Sequence, residues 1–82
     1  MSSMNNAERK AVIKAAYEAL VQQKYDPIRQ LRGYLLTEDP TYIPDYKGAR
    51  ARIASLDREA LLDDLLRLYL SEICAEKKVE SD

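Results

Sequence analysis

Hydrophobic and polar positions follow a helical period along most of this chain. Ile13, Tyr17, Leu20 and Val21 recur at the i, i+4, i+7, i+8 spacing of one helix face, with Lys10, Lys14, Glu18 and Gln22 over much of the rest. Asn5 is placed to cap that helix, and Glu8 at its third position suits a capping box. The pattern fades at Gln23-Lys24. Asp26-Pro27 then starts a second helix, an acidic cap followed by the proline best tolerated at a first helical position. Its apolar stripe is Ile28, Leu31 and Leu35, and it ends at Leu36. Asp39-Pro40 repeats the chemistry for a short turn through Tyr42, which Pro44 ends because the residue before a proline is pushed out of the helical region. Asp45 is placed to cap a third helix carrying Tyr46, Ala49 and Ile53, and Asp57 a fourth running from Arg58 to about Ala75.

Strand signals are nearly missing: there is no Phe or Trp, and alternation is never sustained. The reading is therefore all-α, a compact bundle of four to five short helices with a helix-turn-helix-like element. Eighty-two residues make one domain. Residues 1–5 read as a flexible tail, 6–75 as the helical domain, and 76–82, charged and aperiodic, as a disordered tail.

The fourth helix asks for more cover than this chain offers. With Leu61 at zero, Leu68, Leu65, Tyr69, Leu62, Ile73, Leu66 and Leu70 spread over about 200°, twice the stripe of a one-sided surface helix. Three other short helices cover one flank comfortably and both only with difficulty. A chain of this length often gains stability by oligomerising. The pattern thus predicts that Leu62, Leu66, Tyr69, Leu70 and Ile73 contribute to a two-fold homodimer. The alternative is that the whole arc is intramolecular core.

Composition narrows the chemistry. Histidine is absent, which removes the commonest general base and metal ligand together. One cysteine makes neither an intramolecular disulfide nor a structural zinc site, and argues for a reducing compartment. Cys74 has no histidine as its base, and its neighbours Glu72 and Glu76 are acidic and offer no cation to a thiolate. Asp63 and Asp64 point about 100° apart on a helix and form no facing pair. The expectation is a non-enzyme without cofactor or metal. No apolar run approaches the ~20 residues of a spanning helix, and the N-terminal run has no basic region followed by an apolar segment, so neither a membrane span nor a secretory signal is expected. Thirteen basic against fourteen acidic side chains, net −1 with a pI near 5.4, point away from nucleic acid and anionic membranes.

Two clusters remain. Arg29, Arg32, Lys47, Arg50 and Arg52 are the only basic concentration. They suit a phosphorylated or acidic partner segment or a helix-turn-helix docking on DNA, against a default of solvated charge. Gly33 inside a helix costs about 1 kcal/mol relative to alanine, which implies a close helix–helix approach. Tyr34 points away from the Ile28/Leu31/Leu35 stripe and is placed at an interface. Tyr25, Tyr34, Tyr42 and Tyr46 flank turns, where rings seal helix ends and hydroxyls meet backbone groups.

Tyr25, Pro27, Ile28, Gln30, Gly33, Tyr34, Leu36, Asp39, Pro40 and Tyr42 form an ordered pattern. It continues with Ala49, Arg50 and Ile53, then Arg58, Glu59, Leu61, Leu62, Leu65, Arg67, Tyr69 and Leu70. Together they resemble the IreB family of small regulatory phosphoproteins of Gram-positive bacteria, over about three-quarters of the chain. The resemblance implies a compact all-α homodimer in the cytoplasm, without enzymatic activity. It also implies a substrate of a transmembrane Ser/Thr kinase that senses the envelope, modulating envelope-stress and β-lactam tolerance through a downstream protein. In the family the phosphate goes on tail threonines. No threonine precedes Thr37 here, so Ser2 and Ser3 become the acceptor candidates, with Thr41 behind them. A family-like asparagine and valine are Arg29 and Arg32, and a Ser-Gly before Asp-Pro is Thr37-Glu38.

Overall fold

The computed structural model describes residues 4–77, with side chains described through Cys74. Helices α1 (Asn6–Gln22), α2 (Pro27–Thr37), α3 (Ala49–Ala54) and α4 (Arg58–Lys77) follow in order, with a 3-10 turn at Pro40–Tyr42. The described residues are helical or irregular, as the period predicts. α4 runs two residues past its expected end, and Lys78–Asp82 lie outside the described residues.

Capping chemistry sets most of these boundaries. Asn5 accepts from the Glu8 backbone N–H at 2.8 Å while Glu8 accepts from the Asn5 N–H at 2.9 Å, the reciprocal box its spacing predicts. α1 closes on Lys24 at φ 67°, with Tyr25 N–H donating to Leu20 and Lys24 N–H to Val21. This is a Schellman turn built without glycine. Asp26, Asp39 and Asp57 each accept from backbone N–H groups just ahead.

Asp45 does not cap the third helix. Lys47 at φ 51° and Gly48 at φ 76° turn the chain left-handed, and α3 begins at Ala49 with Gly48 in the cap position and no side-chain cap. The second left-handed residue falls on the one type that adopts it freely.

The core consists of Val12, Ala16, Ala19 and Leu20 of α1, Tyr34, Ile43, Ala49, Ile53, Leu56 and Leu61. α1 therefore buries a face about one residue away from the expected stripe. Ile13 is half-buried and Tyr17 and Val21 are exposed. The reason is size: Ala16 and Ala19 let α3 come close to α1, its principal packing partner. On α2 the expected stripe is only half used. Leu31 and Leu35 are half-buried, Ile28 is exposed, and Tyr34 is the buried residue.

Gly33 answers a close approach, but to a ring rather than another helix. A Cβ there would lie 2.6 Å from Tyr42 Cδ1 and 2.7 Å from Cζ. Gln30 Nε2 donates to the Tyr42 carbonyl at 3.1 Å and fixes the turn that carries the ring.

Candidate functional site

α4 leaves the body of the molecule along one edge. Leu61, 4% exposed, is the member of its apolar arc taken into the core. Leu61 and Leu65 border a narrow recess with Ile13, Leu31, Tyr34 and Leu35. Farther round, Leu62, Leu66, Leu68, Tyr69, Leu70 and Ile73 are all exposed, Leu68 at 64% and Tyr69 at 67%. The reading in which the arc is wholly intramolecular core is thereby overturned: α1 packs on α2 and α3, and side chains of α1 and α2 border one side of a helix about 30 Å long. The molecule measures 46 × 34 × 21 Å.

Two polar contacts hold the first turns of α4. Arg9 Nε donates to Asp64 Oδ2 at 2.5 Å and Nη2 to Oδ1 at 2.9 Å, while Nη1 donates to the Met4 carbonyl. The hydrogen bond from Arg9 holds the Asp64 carboxyl below the usual carboxylate range, against a smaller upward push from burial. Arg58 Nη1 donates to the Leu35 carbonyl, and Nη2 lies 3.2 Å from Glu38 Oε2. Glu38 sits at φ 65° and closes α2. It occupies the place where the resembling pattern has glycine, and its backbone N–H donates to the Tyr34 carbonyl. Sequence reasoning gave Arg58 no contact. The available signal was a cation in a first helical turn, where the dipole disfavours it. Arg9–Asp64, fifty-five positions apart, left no local signal.

Leu62, Leu66, Tyr69, Leu70 and Ile73 are brought together as one stripe of α4. Beside it a groove of about 480 Å³ runs between α1 and α4, floored by Ile13, Leu31, Leu61, Leu65 and Leu68 with Lys10 and Lys14 at its rim. Tyr34 does not belong to any surface. It is 3% exposed, and its hydroxyl donates to the Ile53 carbonyl at 3.0 Å. Its hydroxyl reaches α3, not solvent, and it lines one recess with Leu31 and Leu35. Burial pushes its pKa up, so it remains a donor.

Arg29 and Arg32 are exposed on α2, Lys47 sits near the Tyr46 ring, and Arg50 Nε donates to the Ile43 carbonyl at 2.8 Å. Residues 38–48 separate α2 from α3, longer than the three- or four-residue turn of a helix-turn-helix. Among the described residues no three His, Cys, Asp or Glu side chains are placed to share a metal ion, and Cys74 is an exposed free thiol. No helix of the described residues is long and apolar enough to cross a membrane. Ser2 and Ser3 lie outside the described residues.

The uncovered helix, the internal Tyr34 and the ring on Gly33 involve residues of the ordered pattern, and comparison with known proteins agrees. A UPF0297 protein of Ruminiclostridium cellulolyticum (strain ATCC 35319 / DSM 5812 / JCM 6584 / H10) is 43% identical over 63 residues, 77% of this chain and 72% of the relative. The family model described as IreB regulatory phosphoprotein matches residues 1–71. The chain belongs to the IreB family of regulatory phosphoproteins.

Proposed function

We propose that this chain is a non-enzymatic cytoplasmic regulator that acts by protein–protein binding, with the uncovered stripe of α4 as its two-fold homodimer contact. In this reading it is a substrate of a membrane Ser/Thr kinase and serves envelope-stress and β-lactam tolerance signalling through a downstream protein. The observation that carries the binding reading is the exposure of Leu62, Leu66, Tyr69, Leu70 and Ile73 on one side of one helix. Burying one such side chain fully is worth about 1.5–3 kcal/mol, and a symmetric pair of α4 helices covers the stripe twice over with one contact.

Sedimentation at micromolar concentration tests it. The expected result is a dimer, with Leu66→Asp a monomer of unchanged helix content. A wild-type monomer at that concentration overturns the dimer. For the signalling part, Ser2 or Ser3 is the acceptor, and Thr41 is a weaker one because its hydroxyl already donates to Asp39 Oδ1 at 2.6 Å. Mass spectrometry after incubation with a cognate kinase checks this; no phosphate on residues 2–3 removes the assignment.

A further inference from the structure

α2 carries a second unpartnered surface, separate from the stripe of α4. Ile28, Arg32 and Leu36 fall at i, i+4 and i+8, a single row about 12 Å long. Arg29 stands beside it. Ile28 at 71% and Leu36 at 76% are the two most exposed large hydrophobic side chains among the described residues. Arg29 and Arg32 are exposed, and among the described residues neither makes an ion pair. The acids that flank the row in sequence have other partners: Asp26 accepts from the backbone N–H groups of Ile28 and Arg29, and Glu38 bridges Arg58. The result is an apolar–basic–apolar row with no counter-charge of its own.

We infer that this row docks an acidic amphipathic helix of another protein. Such a helix lays apolar side chains against Ile28 and Leu36 and sets a carboxylate against Arg29 and Arg32. Charge complementarity selects the acidic class, and an apolar face repeating at i and i+4 is the shape that fills a row of two helical turns. A nucleic-acid backbone would satisfy the arginines and leave both apolar groups in water. An anionic lipid surface draws on a longer apolar face than two side chains provide. This inference stands without the α4 dimer and fails separately from it.

The probe is a synthetic helical peptide with leucines at i and i+4 and glutamates beside them, paired with its glutamine counterpart. Amide chemical shifts of the full chain are followed at low and high salt. Binding is expected to move Ile28, Arg29, Arg32 and Leu36. We expect the glutamine peptide to bind about tenfold more weakly, and the difference to shrink as salt screens the charges. The Arg29→Glu/Arg32→Glu chain should lose the glutamate peptide at least tenfold while keeping its helix content and its sedimentation behaviour. Equal affinity for the two peptides, or shifts confined to α4, overturns the proposal. Stronger binding to phosphatidylglycerol vesicles than to the peptide overturns it in favour of a lipid surface. A tenfold loss of self-association in the double variant overturns it in favour of a second copy of this chain.

Discussion

Residues 25–44 and helix α4 differ in how they use their special residues, although each leaves apolar side chains in water, Ile28 and Leu36 in the first and most leucines in the second. The first region holds Gly33, all three prolines and three of the six tyrosines, and much of that chemistry is turned inward or onto its own backbone. Tyr34 reaches the Ile53 carbonyl, Tyr42 lies on Gly33, Gln30 holds the Tyr42 carbonyl, and Asp26 and Asp39 cap the elements that follow them. α4 repeats leucine in plain helical order and turns most of it outward. An unusual residue at a fixed spacing marks a place where the backbone has few alternatives. A surface for a partner is marked instead by surplus, more apolar width than the chain can cover.

The largest expected effect separates the two regions directly. Ile53 is fully buried in the core that α3 shares with α1, so Ile53→Ala removes packing atoms and leaves a cavity. We expect a loss of about 2–5 kcal/mol, read from urea unfolding at concentrations dilute enough to hold the chain monomeric. Leu66→Ala under the same conditions should change stability by no more than ~0.5 kcal/mol, the range of an exposed site. Equal losses at the two positions would erase the distinction between them.

Next in size is Gly33→Val. The added branch enters the space of the Tyr42 ring, whose turn is tied to α2 through Gln30. Overpacking of this kind costs about 1–3 kcal/mol. Tyr42→Ala in the same chain should recover part of that loss. The coupling between the two changes, measured as a double-mutant cycle, sharpens the claim that the glycine serves a ring. Independent, additive losses would return Gly33 to a matter of backbone alone.

How much of this was legible beforehand depended on the range of the interaction. Caps are local: Asn5 with Glu8, and Asp26, Asp39 and Asp57, could be read from spacing because each partner lies within three residues. The surplus on α4 was also legible, since 200° of apolar arc is a property of one helix. Rotation of α1 was not. Which of two adjacent faces is buried depended on the two small alanines admitting α3, a fact about the neighbour rather than the stripe. The same holds for Tyr34, which was expected to point away from the α2 stripe and instead lines one recess with Leu31 and Leu35. Its destination could not be read, because α3 lies beyond residues 38–48 and follows two left-handed residues, not an aspartate cap at Asp45.

Asp64→Asn is the smallest of these tests and bears on how α4 is held out from the body. Its two oxygens accept from Arg9, which also donates to the Met4 carbonyl, so one guanidinium joins the start of the chain, α1 and α4. Both partners keep some contact with water, which screens the pair and keeps its contribution modest. The sign in pH follows from a carboxyl held below its unfolded value. The stabilisation is complete above the unfolded pKa near 3.9, and is lost as pH falls through the folded one. Wild-type protein should therefore hold its urea midpoint from neutral pH to about pH 4 as far as this group is concerned, and lose Asp64's share only in more acid solution. The asparagine variant should start lower at neutral pH and fall less steeply in acid, with faster amide exchange at the start of α4. Parallel acid slopes would show that Asp64 does not anchor the helix. The attachment would then rest on Arg58, Leu61 and Leu65, in the first turns of the element whose far side faces outward.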